Sequence, residues 1–70
     1  MIESLTELLN KSPFQPFKIV TASGDKYDVQ NPHFIALGKS QISYFFSKSD
    51  RWVFIRLNQI TAFESAHLAA

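Results

Sequence analysis

The sequence lacks cysteine, and its 70 residues include only two glycines and three prolines. Without thiols the chain can form neither a disulfide nor a thiolate metal site. The absence of cysteine also fits a reducing compartment, so we predict a cytoplasmic protein. No apolar run exceeds five residues, which is too short to span a bilayer, and we therefore expect no membrane partner.

The sequence also has no excess of charge of one sign. Seven basic and six acidic residues leave a formal net charge of +1, so the chain as a whole is not attracted to nucleic acid. A hydrophobic content of 46%, with seven phenylalanines, argues against disorder. Residues 1–70 are predicted to form one small domain. A domain of this size buries only about 60% of its unfolded surface, so oligomerisation is a remaining source of burial.

The chain is predicted to open with a helix at about 2–11. The residue before a proline disfavours helical backbone, so Ser12-Pro13 ends this helix. So short a helix is not stable alone, and its apolar stripe must dock on the rest of the domain. The stripe recurs at helical spacing and consists of Ile2, Leu5, Leu8 and Leu9.

The stretch FKIVTASGDKYDV, residues 17–29, predicts a β-hairpin. Apolar residues alternate with polar ones on both sides of a Ser-Gly-Asp break, and Gly24 can adopt the positive φ that such a turn requires. Asn31-Pro32 stops the pairing, because proline has no N–H to donate. The predicted inward face carries Phe17, Ile19, Thr21, Tyr27 and Val29.

The rest of the sequence predicts strands at 41–46, 51–57 and 60–64, and a frayed tail at 66–70. HFIALGKS, residues 33–40, fits either a short strand or a bend. Short antiparallel strands protect their edges by closing into a barrel. We therefore predict a mainly β fold with one N-terminal α-helix, in which about 17–65 form a five-stranded antiparallel small barrel of the Sm-like or SH3-like type.

Two motifs resemble the Sm-like family. The first runs from Ile19 through Gly24 to Tyr27 and Val29, and the second is Phe54-Ile55-Arg56-Leu57-Asn58-Gln59-Ile60. In Sm-like proteins the second motif forms strands four and five, whose edges pair between subunits to close a ring, while the loops bind RNA. The RNA site does not carry over. The loop at 31–40 lacks the acidic residue and asparagine pair, and Leu57 stands where those proteins have glycine.

Two further resemblances point to bacterial proteins. RWVFIRLNQITAFESA is similar to the end of the Rof family of bacterial Rho inhibitors, which are Sm-like barrels that act by binding a protein. Short bacterial proteins of unassigned function share a second set of motifs, although Asn31 stands where that family has histidine. The matching residues are Pro16-Phe17-Lys18-Ile19, Gly24-x-x-Tyr27-x-Val29, Asn31-Pro32 and Gly38-Lys39.

The predicted strands at 41–46 and 51–57 are apolar on both faces, whereas a strand that is half exposed to water should be apolar on one. One explanation is that the N-terminal helix covers the second apolar face of these strands. The other is that the aromatic side chains of that face are exposed for a partner or a second copy of the chain. Tryptophan, tyrosine and arginine are the residue types that anchor interfaces. The predicted binding residues are Trp52, Phe54, Phe45, Tyr44, Arg51, Arg56, Lys48 and Lys39.

The same residues are compatible with single-stranded RNA or DNA, because aromatic rings can stack on bases while lysine and arginine contact phosphates. No enzyme activity, metal or cofactor is predicted. The sequence has no nucleophile elbow or glycine-rich phosphate loop, and His33 and His67 lie far apart. We predict a non-catalytic binding or regulatory module that acts through protein–protein contacts, including self-association. Binding of single-stranded nucleic acid is the alternative.

Overall fold

The computed structural model describes residues 2–65 of the chain. The helix α1 spans Ile2–Leu9 and so ends before residue 11. Short 3-10 turns, Pro32–Phe34 and Leu57–Gln59, precede the third and the last strand. The predicted frayed tail at 66–70 lies outside the described residues. The strands are β1 (Phe17–Thr21), β2 (Lys26–Val29), β3 (Ile35–Leu37), β4 (Gln41–Phe45), β5 (Trp52–Arg56) and β6 (Ile60–Ser65).

Within the described residues these six strands form two antiparallel sheets of three strands each. Sheet A has the order β2-β1-β6, and sheet B has the order β3-β4-β5. The prediction of a mainly β fold with one N-terminal helix is confirmed. The predicted closed barrel of five strands does not form, because residues 2–65 contain a sixth strand and no hydrogen-bonded ladder joins the two sheets.

The additional strand arises where the chain turns after β2. The Asn31 side chain accepts a hydrogen bond of 2.9 Å from the backbone N–H of His33, and Pro32 begins a 3-10 turn. Since proline cannot donate to a ladder, pairing stops there. The chain leaves sheet A after β2 and enters sheet B as β3. Of the two possibilities for residues 33–40, the short strand is therefore the correct one.

The predicted β1–β2 hairpin is present. Phe17 pairs with Val29 at its open end, and both side chains are buried. Gly24 in the turn has a φ of 91°, a backbone conformation that glycine adopts without a steric penalty. The residues that the alternation predicts to face inward are therefore the ones that pack sheet A against the core.

One hydrophobic cluster joins the helix and both sheets. Leu5 is the fully buried residue of α1, and Leu8 and Leu9 pack against the cluster. The C-terminal end of the helix lies beside sheet A, where Leu8 lines a small cleft with Phe17 and Phe63. No helix among residues 2–65 has both the length and the apolarity to cross a membrane. The buried members of the cluster are Leu5, Phe17, Ile19, Val29, Ile35, Ile42, Tyr44, Ile55 and Ile60.

Candidate functional site

Strand β5 has two faces of different character. Ile55 is buried and Val53 is half-buried, whereas Trp52 and Phe54 are 52% and 57% exposed. Successive side chains of a strand point to opposite sides of the sheet. The two aromatic residues therefore share one face, as the alternation predicts, and that face is turned away from the core.

Strand β4 adds a third aromatic side chain to this surface. Phe45 pairs directly with Trp52 across sheet B and is 42% exposed. The rings of Trp52 and Phe54 contact each other edge to face, with centroids 4.7 Å apart and planes at 62°. We call Phe45, Trp52 and Phe54 the outer aromatic face. Contiguous exposed apolar surface of this kind is typical of interaction sites.

The N-terminal helix does not cover the outer aromatic face. The C-terminal end of α1 lies against Phe17 and Phe63 of sheet A, while Trp52 and Phe54 in sheet B are each more than half exposed. The sequence left two explanations for the second apolar face of β5, and the structure shows that this face is exposed and not covered by the helix.

Tyr44, predicted as a binding residue beside Phe45, lies on the opposite face of β4 and is only 5% exposed. Its hydroxyl donates a hydrogen bond to the backbone carbonyl of Asp28 in sheet A. Burial raises the pKa of Tyr44 above its ordinary value of 10.0, and the nearby Asp28 carboxylate and Tyr27 raise it further. Tyr44 is a core residue that links the two sheets, so its ring is not available to stack on a ligand.

The four basic residues predicted for the site lie in two pairs. Lys48 and Arg51 lie at the β4–β5 turn, and Lys39 and Arg56 lie at the opposite end of β4. Between residues 33 and 57 there are four basic side chains and one acidic side chain. A five-residue strand is about 17 Å long, so the two pairs flank the outer aromatic face at a distance and do not form one basic patch.

The guanidinium of Arg51 contacts a different set of rings. Its central carbon lies 5.0 Å from the centroid of Phe46, within the range of a cation–π interaction. Phe46 in turn packs edge to face against Tyr44, with centroids 5.0 Å apart. Arg51 is therefore turned toward the inner side of sheet B. The alternation of β5 places Arg56 on the same face as Trp52 and Phe54.

The outer edge of β5 has no strand beside it within the described residues, because β5 stands at the end of the order in sheet B. Two contacts of its inner edge fix the hydrogen-bonding pattern. The N–H of Phe46 donates to the carbonyl of Arg51 at 3.0 Å, and the N–H of Leu57 donates to the carbonyl of Ser40 at 2.9 Å. The register between β4 and β5 is continuous from one contact to the other.

Hydrogen-bonded and non-hydrogen-bonded pairs alternate along an antiparallel ladder. Val53 and Ile55 therefore bond to β4 through their backbone groups. The N–H and C=O groups of the intervening residues point to the open edge, where a cleft of about 340 Å³ separates Phe54 from the β1–β2 turn. The residues with outward backbone groups are Trp52, Phe54 and Arg56. The strand pattern of the sequence does not show this open edge, and only the resemblance to Sm-like proteins, whose strand edges pair between subunits, implies one.

The described part of the chain holds no cluster of side chains that could bind a metal ion. His33 is exposed, and its backbone N–H donates to Asn31. Within residues 2–65, no three histidine, aspartate or glutamate side chains lie together as metal ligands would. The other histidine, His67, lies outside the described residues.

Comparison with known proteins does not assign the chain to a family. No family model matches it, and no curated protein or solved structure is significantly similar to it. The Sm-like, Rof-like and unassigned bacterial resemblances therefore stay predictions from sequence motifs.

Proposed function

We propose that this protein is a non-catalytic binding module that contacts protein surfaces, including further copies of itself, through the outer aromatic face. The observation that carries the proposal is the exposure of Trp52 and Phe54 on a strand with an open edge. Large aromatic side chains gain most from burial and recur at the centres of protein interfaces.

The packing of these rings favours binding. Trp52 already contacts Phe54 in the free protein, with centroids 4.7 Å apart, and Phe45 pairs directly with Trp52. Side chains that are held in place before binding lose little conformational entropy when a partner covers them. Arg56 adds a cationic group at the rim of the same face, and arginine is enriched at interfaces.

A capture experiment tests the proposal. The tagged protein and its Trp52→Ser/Phe54→Ser variant are used to isolate bound proteins from the cells that produce the chain. We expect the variant to lose the proteins that the wild type retains. Leu37→Ser is the matched control, because Leu37 is 44% exposed but lies on the opposite face of sheet B, paired with the buried Ile42. Unchanged capture by the double variant would contradict the proposal.

Single-stranded nucleic acid is the second candidate, favoured by the two basic pairs around the outer aromatic face. The separation of those pairs, the contact of Arg51 with Phe46 and the burial of Tyr44 weigh against it. Fluorescence anisotropy with a mixed-sequence RNA oligomer, at low and at physiological salt, distinguishes the candidates. Phosphate contacts weaken steeply as salt rises. Binding with that salt dependence, abolished by Lys48→Ala/Arg51→Ala, would replace the protein-binding proposal.

A further inference from the structure

We propose that the partner at this surface is a second copy of the chain, which pairs its own β5 antiparallel to β5 across a two-fold axis at Phe54. The inference rests on the proposed function, because it uses the outer aromatic face. It joins two three-stranded sheets into one six-stranded sheet.

The backbone of β5 is self-complementary. Trp52, Phe54 and Arg56 direct their N–H and C=O groups to the open edge, as derived from the ladder contacts to β4. In an antiparallel pair centred on Phe54, this residue lies opposite the partner's Phe54, and Trp52 lies opposite the partner's Arg56. Each of these is a hydrogen-bonded pair, so every outward backbone group of the strand finds a donor or acceptor.

The side chains favour the same register. Trp52 faces the partner's Arg56 twice across the two-fold axis, which places a guanidinium beside an indole ring, the best partner for a cation–π contact. Sliding the strands by two residues places Trp52 opposite the partner's Phe54, or Phe54 opposite the partner's Arg56, and removes the pairing of Trp52 with Arg56. Sliding them by four residues in one direction brings the two Arg56 side chains opposite each other, where like charges destabilise the pair. Sliding them in either direction leaves fewer of the five residues paired. The centred register therefore combines full strand pairing with complementary charge.

The exposed aromatic area sets the strength of this contact. An aromatic side chain presents about 150–250 Å² when fully exposed. Phe45 lies on β4, one strand back from the pairing edge, so the half-exposed rings of Trp52 and Phe54 offer roughly 200 Å² per protomer. A stable interface buries about 800 Å² per partner. We therefore expect a reversible dimer whose population rises with protein concentration, with the backbone ladder contributing beside the rings.

Site-specific cross-linking tests the register. The chain has no cysteine, so Phe54→Cys, Trp52→Cys and Ser43→Cys each carry a single thiol. In the proposed dimer the residue 54 positions lie about 5.5 Å apart as a hydrogen-bonded pair. The two residues at position 52 are about 14 Å apart, because four residues of rise separate them along the strands. The two residues at position 43 are also about 14 Å apart, because three strand spacings separate them. With a cross-linker too short for 14 Å, we expect Phe54→Cys to link at least tenfold faster than the other two.

Sedimentation equilibrium of the wild-type chain over a concentration series provides the second measurement, which depends on no variant. A rising dimer fraction together with preferential linking at position 54 supports the inference. A monomer at every concentration, or equal linking at all three positions, overturns it. If the wild type is monomeric while capture of another protein still requires Trp52 and Phe54, only the dimer is overturned and the proposed function stands.

Discussion

The hydroxyl of Tyr44 donates a hydrogen bond to the backbone carbonyl of Asp28, which ties sheet B to sheet A. Asp28 belongs to β2, an edge strand of sheet A. The rings of Tyr27 and Tyr44 also meet at this seam, with centroids 5.2 Å apart. A side chain therefore makes the connection that a strand ladder would make in a closed barrel.

Replacing Tyr44 by phenylalanine should destabilise the domain. The ring remains, but the Asp28 carbonyl loses its donor, which costs about 1 kcal/mol and lowers the melting temperature by about 4–8 °C in a domain of this size. Thermal unfolding followed by circular dichroism measures the change. Tyr27→Phe is the control, because its ring packs at the same seam and the Asp28 carbonyl keeps its donor. Equal losses in the two variants would contradict this role of the Tyr44 hydroxyl.

Titration of Tyr44 should lower the stability of the domain in alkali. Burial raises the pKa of Tyr44 above 10.0 in the folded state, so near pH 10 the unfolded chain releases this proton and the folded chain retains it. The contribution of Tyr44 to the free energy of unfolding is fully present below its unfolded-state pKa and is lost as the pH rises through its folded-state pKa. Urea unfolding from about pH 8 to about pH 11 should show a steeper decline for the wild type than for Tyr44→Phe. Parallel declines would argue against titration of Tyr44.

Core and surface positions in sheet B should differ sharply in their tolerance to truncation. Ile42 is fully buried, so Ile42→Ala is expected to cost about 2–5 kcal/mol and to leave the domain largely unfolded. Phe54→Ser removes a side chain that is 57% exposed, and its cost should stay within about 1 kcal/mol. Urea unfolding monitors both. If Phe54→Ser unfolds the domain as Ile42→Ala does, Phe54 is a core residue and the outer aromatic face is not a free surface.

The turn between β3 and β4 should reject a side chain at Gly38. The Gly38 N–H donates to the Gln41 carbonyl at 2.8 Å, and a Cβ at Gly38 would lie 2.7 Å from that same oxygen. Gly38→Ala therefore forces the backbone to shift, at a cost of about 1–3 kcal/mol. Ser40→Ala in the same turn is the control, since the backbone carbonyl that Ser40 offers to Leu57 is unchanged. A Gly38→Ala variant as stable as the wild type would show that the turn relaxes freely.

Sequence reasoning assigned the inward faces of β1 and β2, because apolar and polar residues alternate along this hairpin, whereas the strand at 51–57 is apolar on both faces and left two explanations open. In β4 the alternation of side chains did not show which face of the strand points inward. Tyr44 and Phe45 are adjacent aromatic residues, and alternation puts them on opposite faces without saying which face is inward. The contact of Tyr44 with Asp28, a residue sixteen positions earlier, decides it.

The number of strands and the open edge of β5 depend on pairing between distant residues. Asn31 and Pro32 mark the break in the sequence, but the pairing of Ile35 with Tyr44 is set by the tertiary fold. Strand order is a property of the sheet, and no single strand carries it.

Trp52 is the single tryptophan of the chain, and it lies half exposed on the outer aromatic face. The intrinsic tryptophan emission of the protein therefore originates from this surface and not from the core. Any partner that covers the indole removes water from it and shifts the emission to shorter wavelength. Occupancy of the surface can thus be followed by optical titration in the unmodified protein, without a dye or a tag.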